Sequence, residues 1–253
     1  FLSREQVDLS NLSQLQNFLE NTKVTTLINA AAYTQVDKAE TERDLCQRVN
    51  SEAVKILGQY SQKKNFKLVH YSTDYVFSGT GFRPYKESDP TSPVNFYGKS
   101  KLLGEELLKM EAPGSLILRT SWVYAGQGKN FLNTILRLAS SREEISVVAD
   151  QVGTPTWAPD LVEVTAKALA SDLEGVFHFS NEGVASWYDF AHEIVKINNL
   201  KTRIVPITTE LYPTPAARPF YSVLEKEKLR KELGVSIPFW RDSLEACIKG
   251  LKI

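Results

Sequence analysis

The chain has 253 residues, and its 30 Lys and Arg balance 30 Asp and Glu to a formal net charge of zero. That balance gives no electrostatic case for nucleic acid or for an anionic membrane surface, and no apolar run approaches the roughly 20 residues that span a bilayer. The length fits one large domain, or a nucleotide-binding domain with a smaller appendage. Cys46 and Cys247 stand far apart without Cys-x-x-Cys spacing, which reads as reduced thiols in a cytoplasmic protein. His70, His178 and His192 form no pair at metal-ligand spacing, so no metal site is expected.

Ser10 reads as an N-cap, followed by Leu12, Leu15, Phe18 and Leu19 at helical spacing. Thr25 to Asn29 is a short strand ending in Ala30, Ala31 and Ala32, whose small side chains let a flat ligand approach the backbone. Leu45, Val49, Ala53, Ile56, Leu57 and Tyr60 trace one face of a long helix, and a buried strand from Phe66 to Ser72 runs into the polar turn at Thr73 and Asp74. A loop rich in Gly, Pro and Ser (78–93) leads to a helix carrying Tyr97, Leu103, Leu107 and Met110, and Leu116 to Leu118 begins another buried strand. Such alternation predicts a parallel sheet covered on both faces. Beyond about Gly126 the alternation loosens: helix Phe131–Ser140, strand Ile145–Val148, helix Asp160–Ala170, strand Val176–Ser180, helix Trp187–Ile197, then Ile204-Val205-Pro206-Ile207 and a loop holding Pro213, Pro215 and Pro219. Glu225 to Glu232 mixes both signs and reads as a solvated helix face.

The chemistry concentrates at Tyr97-Gly98-Lys99-Ser100-Lys101. Residues four apart share a helix face, so the Lys101 ammonium can sit near the Tyr97 phenol. A free phenol has a pKa of about 10, and a nearby cation lowers it, which suits tyrosine to general acid–base work. Thr73 and Asp74 fall at a strand's carboxyl end, where ligands bind in open α/β sheets.

The segments Asn29 to Ala32, Tyr71 to Phe77, Tyr97 to Lys101 and Arg119 to Tyr124 resemble the extended short-chain dehydrogenase/reductases, and more narrowly the dTDP-4-dehydrorhamnose reductases. Val36 to Glu40, Asp150 to Thr156 and Tyr212 to Pro219 extend the resemblance over nearly the whole chain. It implies a Rossmann-like, doubly wound parallel sheet with a smaller α/β substrate-binding portion. Residues 1–125 with about 157–182 would form the NAD(P)-binding domain, and about 126–156 with 183–253 would mainly bind substrate. It implies reduction of a dTDP-sugar ketone with NADPH or NADH. Tyr97 would be the proton donor, Lys101 would lower its pKa and bond the nicotinamide ribose, and Thr73 would orient the carbonyl. Asp74 would bind a sugar hydroxyl and Trp122 would close the sugar pocket. Asp8, Leu9, Ala30, Ala32, Tyr33, Thr34, Tyr97 and Lys101 would line the cofactor, and Arg218 is a candidate for the nucleotide diphosphate. Asn50 stands where many of these enzymes keep a helix asparagine. A homodimer is compatible with the resemblance.

The sequence contains no G-x-x-G-x-x-G or G-x-G-x-x-G, so roughly 30 or more residues holding a strand, glycine turn and helix are expected before Phe1 in the working protein. Two other readings stand beside the reductase. One is a nucleotide-sugar epimerase or dehydratase on the same scaffold; the other is a non-catalytic subunit like the methionine adenosyltransferase beta subunit.

Overall fold

The computed structural model describes residues 2–251; the positions at 1, 252 and 253 that close the expected domain ranges lie outside them. Helix α1 (Leu12–Asn21) is capped by Asn11, one residue after the expected Ser10. Asn11 accepts the Gln14 N–H at 3.1 Å, because Ser10 is already engaged, donating from N and Oγ to Asp8 at 2.8 Å. Strand β1 (Thr26–Asn29) follows. The expected long helix is three pieces: α2 (Arg43–Gln47), a π-helical turn (Arg48–Glu52) and α3 (Ala53–Lys64). Then come β2 (Lys67–Thr73), α4 (Phe96–Glu111), β3 (Leu116–Thr120), the two-residue β4 (Val123–Tyr124), α5 (Phe131–Ala139) and β5 (Glu144–Val148). The chain continues through β6 (Val152–Gly153), β7 (Thr156–Trp157), α6 (Ala158–Ala170), β8 (Gly175–His178), β9 (Ala185–Ser186) and α7 (Trp187–Ile197). It ends with β10 (Arg203–Ile207), α8 (Glu227–Leu233) and α9 (Trp240–Leu251).

The main sheet is parallel throughout, in the order β1-β2-β3-β8. Its strands alternate. Leu68 and Ile117 pack with Leu15, Leu19, Leu57 and Leu108 from α1, α3 and α4, while Val69, Leu116 and Leu118 pack with Leu161, Val164 and Leu229 from α6 and α8. Burial on both faces is what a parallel sheet requires. A separate core gathers Leu132, Ile135, Phe190, Ile194, Trp240 and Leu244 from α5, α7 and α9 around the parallel pair β5 and β10. No helix among the described residues is long and apolar enough to cross a membrane. Cys46 and Cys247 are both buried free thiols.

One surface expectation fails. Lys226, read as part of a solvated face, is buried. Its ammonium lies 3.4 Å from Glu182 and from the Ser180 hydroxyl, and 3.3 Å from the Asn181 carbonyl, which compensates for its removal from water.

Candidate active site

The parallel sheet brings Asn29, Thr73 and Thr120 to one end of the fold as the last residues of β1, β2 and β3. Helix α4 crosses that end. It is started by Asn95, whose side chain accepts the Gly98 N–H at 2.8 Å. Gly98 has no alternative there, since a Cβ would stand 2.2 Å from the Tyr75 carbonyl oxygen. A second glycine, Gly104, lets the same helix lie against the π-turn, where a Cβ would fall 2.1 Å from the Asn50 carbonyl. Interruptions of this kind in a helix are often found at functional sites.

The π-turn aims Asn50 inward, and its side chain ties together parts of the site that are remote in sequence. Its Oδ1 accepts the Tyr33 N–H at 2.8 Å, its Nδ2 donates to the Tyr33 carbonyl at 3.0 Å, and the same Nδ2 meets the Ser100 hydroxyl on α4 at 3.0 Å. Asn50 thus fixes the Ala30–Thr34 segment against the helix of Tyr97. An asparagine on a helix flank is common, so its role is not legible from residue order alone.

Tyr97 is half-buried, with the Tyr75 ring edge-on at 5.7 Å. Burial pushes its phenol well above the usual range, with the Thr73 hydroxyl pulling the other way and the Asp74 carboxyl adding to the rise. The expected depression by Lys101 is not what the geometry produces. The Lys101 side-chain nitrogen turns instead to β2, donating to the Tyr71 carbonyl at 2.6 Å and lying 3.2 Å from His70 Nε2. Burial lowers Lys101 to about 8, against the opposing pull of Glu105 and Cys46.

Thr73 accepts the Tyr75 N–H at 3.2 Å and donates to Asp74 Oδ1 at 3.1 Å. Asp74 is buried, and among the described residues its Oδ2 has no hydrogen-bond partner. Burial pushes its pKa up to about 7, although the Ser222 and Thr73 hydroxyls lower it. Trp122 holds a left-handed backbone at φ 47° and stacks on Trp187 at 3.6 Å. Gly153 joins it to the Asp74 side: a Cβ there would sit 2.8 Å from the indole and 2.9 Å from Ser222 Oγ.

The remaining expected residues separate. Ala30 is exposed, Ala32 half-buried and Thr34 exposed, all just beyond β1. Tyr33 is buried, donates to Glu42 at 2.7 Å, and is pushed up to about 12 chiefly by burial. Asp8 is held locally, by Ser10 and by Arg4 at 3.1 Å, and Leu9 packs with the core under α1. Among the described residues neither hydrogen-bonds to Thr73, Tyr97 or Lys101. Arg218 is not a free cation: its fork binds both Asp37 oxygens, at 2.9 and 2.8 Å.

Beneath the site lies a buried ion pair that sequence reasoning missed. Glu105, one turn beyond Lys101, accepts from Arg119 at 2.9 and 2.7 Å and from the Ser72 hydroxyl at 2.5 Å. Burial raises the Glu105 pKa, but the Arg119 bonds and charge outweigh it and the net shift is downward. His70 was missed as well. A polar residue on the same strand face as Ser72, in an otherwise apolar strand, was the available signal.

Comparison with known proteins adds to this geometry. The family described as RmlD substrate binding domain matches residues 1–253. A dTDP-4-dehydrorhamnose reductase of Burkholderia thailandensis is 44% identical over 99% of this chain and 90% of its own length. The spore coat polysaccharide biosynthesis protein SpsK of Bacillus subtilis is 40% identical over 96% of this chain and 85% of its own. The crystal structure of dTDP-4-dehydrorhamnose reductase from Bacillus anthracis in complex with NADP superposes with a TM-score of 0.95 at 39% identity, covering 98% of this chain and 89% of that one.

Proposed function

The chain belongs to the RmlD substrate binding domain family, and from that membership we infer that it is an NAD(P)-dependent oxidoreductase. It reduces the 4-keto group of dTDP-4-dehydro-L-rhamnose to give dTDP-L-rhamnose for cell-surface polysaccharide, in the cytoplasm. The observation that carries the reading is the Thr73 hydroxyl beside the Tyr97 phenol where α4 crosses the carboxyl end of β2, with Lys101 one turn along α4 and bonded to the Tyr71 carbonyl. Residues 1–125 with about 157–182 serve the dinucleotide, and about 126–156 with 183–253 serve mainly the sugar.

The residues present fit a dinucleotide and a sugar. Ala30 and Ala31 are exposed at the end of β1, Asn50 holds Tyr33 through both its N–H and its carbonyl, and Asp74 Oδ2 is a buried acceptor with no partner among the described residues. Ala30, Ala32, Tyr33, Thr34 and Lys101 would hold the cofactor, with Asp8 and Leu9 at its outer end. When bound, the cofactor supplies hydride.

The chain's own groups manage the proton and the orientation. With its pKa raised, the Tyr97 phenol stays protonated at neutral pH and stands ready to donate to a ketone oxygen. The Thr73 hydroxyl beside it fixes the carbonyl's direction and polarises it. Asp74 accepts a sugar hydroxyl through its unpartnered oxygen. Trp122, backed by Trp187, offers an indole surface to the pyranose.

Tyr97→Phe removes only the hydroxyl. Turnover of dTDP-4-dehydro-L-rhamnose should fall by about 10²–10⁴-fold, the usual scale of general acid–base catalysis, with thermal stability nearly unchanged. A variant that retains the parent's turnover removes Tyr97 from the mechanism. A parent protein that binds dinucleotide but never reduces the sugar supports the non-catalytic reading.

A further inference from the structure

The hydrogen bonds behind Lys101 leave only one consistent placement of protons. Asn29 pairs across the sheet with His70. Its Oδ1 accepts the Ala31 N–H at 3.2 Å, which turns its Nδ2 toward His70 Nδ1 at 3.1 Å. An amide NH₂ only donates, so Nδ1 must present its lone pair; a neutral imidazole carries a single proton, which then sits on Nε2. Nε2 faces Lys101 Nζ at 3.2 Å, while Nζ also donates to the Tyr71 carbonyl. An Nε2–H can bond a lysine amine through its lone pair, but an ammonium in the same place sets donor against donor. Accommodating the ammonium requires the ring proton to move to Nδ1. The Asn29 amide must then turn over and give up the Ala31 N–H.

We propose that His70 is a positioning residue for the reduction, and that Asn29, by selecting the Nε2–H tautomer of His70, decides whether Lys101 stands in the site as amine or ammonium. The proposal rests on the reductase reading. His70 is fully buried, and burial together with Lys101 holds its pKa well below the usual range, so an imidazolium is not a competing form near neutrality. The groups that face Lys101 are His70 from β2, Cys46 from α2, and Glu105 on its own helix, one turn after Lys101. Glu105 is already committed to Arg119. Of these, His70 alone touches the amine directly.

Asn29→Asp tests the idea without altering His70 or Lys101. The carboxylate can still accept from Ala31, but it draws the ring proton to Nδ1, and Nε2 becomes an acceptor. Lysine is more basic than imidazole by about 4 pKa units, so the proton shared by the trio then resides on Lys101. The alkaline limb of the kcat/KM profile should move up by about one unit, the lower end of what an added carboxylate does to a neighbour.

Long-range ¹⁵N–¹H spectra of histidine-labelled protein read the tautomers directly. The chain has three histidines; His192→Gln removes the exposed one, and His178 is expected in the opposite form because its Nδ1 faces the Tyr85 carbonyl at 3.1 Å. The expected result is Nε2–H for His70 in the parent and Nδ1–H in Asn29→Asp, with the shifted profile. An Nδ1–H ring in the parent overturns the proposal, and that measurement stands alone if the variant does not fold. A variant ring that keeps Nε2–H, or one that switches while the profile stays in place, overturns it equally. A parent without turnover defeats the reductase reading and leaves the tautomer result intact.

Discussion

Glu105→Gln is nearly isosteric, and its effect follows from the bonds around it. The carboxylate, with no exposed side-chain surface, takes two bonds from Arg119 and one from Ser72. A glutamine oxygen can keep part of that set, but each carboxylate oxygen accepts from Arg119, so its NH₂ must face an Arg119 N–H whichever way the amide lies. Arg119, only 2% exposed, is left with its charge buried and uncompensated. Breaking one side of such a pair costs about 3–5 kcal/mol. At about 2–4 °C per kcal/mol for a domain of this size, the thermal midpoint at pH 7 should drop by about 6–20 °C. Because the Glu105 pKa is lowered in the folded state, the stabilisation is present above the unfolded carboxylate value and is lost as pH falls through the folded one. The gap between parent and variant should therefore close in acid. Calorimetric or circular-dichroism melts of both proteins across pH 3–8 measure it. A midpoint within 2 °C of the parent at pH 7, or a gap that widens in acid, would refute the account of a buried, charge-compensated pair under α4.

Asp74→Asn should act on stability in the opposite sense. The parent carboxyl, raised to about 7, holds a proton in the folded state that the unfolded chain has released, so the parent loses stability as pH rises from about 4 to 7. The variant lacks that slope and should be the more stable protein above pH 7, while binding the dTDP-sugar more weakly; urea melts at pH 5 and 8 with calorimetric titration check both. Gly153→Ala drives a methyl into Trp122 and Ser222, an overpacking that costs about 1–3 kcal/mol. It should weaken dTDP-sugar binding and leave NADPH binding close to the parent's, and equal loss of both ligands would mean Trp122 only scaffolds the fold.

Strand alternation, helix spacing and the polar turn at Thr73 are local patterns, and they were legible from the order of residues alone. So was the Tyr97–Lys101 pair, since i and i+4 share a face in any helix. The resemblance carried by these segments reached the family without tertiary information. Several decisive features depend instead on which segments meet. Lys101 was expected to act on Tyr97, but the parallel register sets His70 and the Tyr71 carbonyl opposite α4, and the lysine turns to them. Asn50 matters because a π-turn aims it at Tyr33 and Ser100, and Gly104 because that turn needs room. Arg218, a candidate for the nucleotide diphosphate in its proline-rich loop, is held by Asp37, 181 residues away. Burial also reversed the expected direction at Tyr97, because removal from water is a property of the assembled surroundings and of no single residue. Short-range periodicity thus determines the elements, while contacts between distant segments decide the charge and orientation of the groups they bring together.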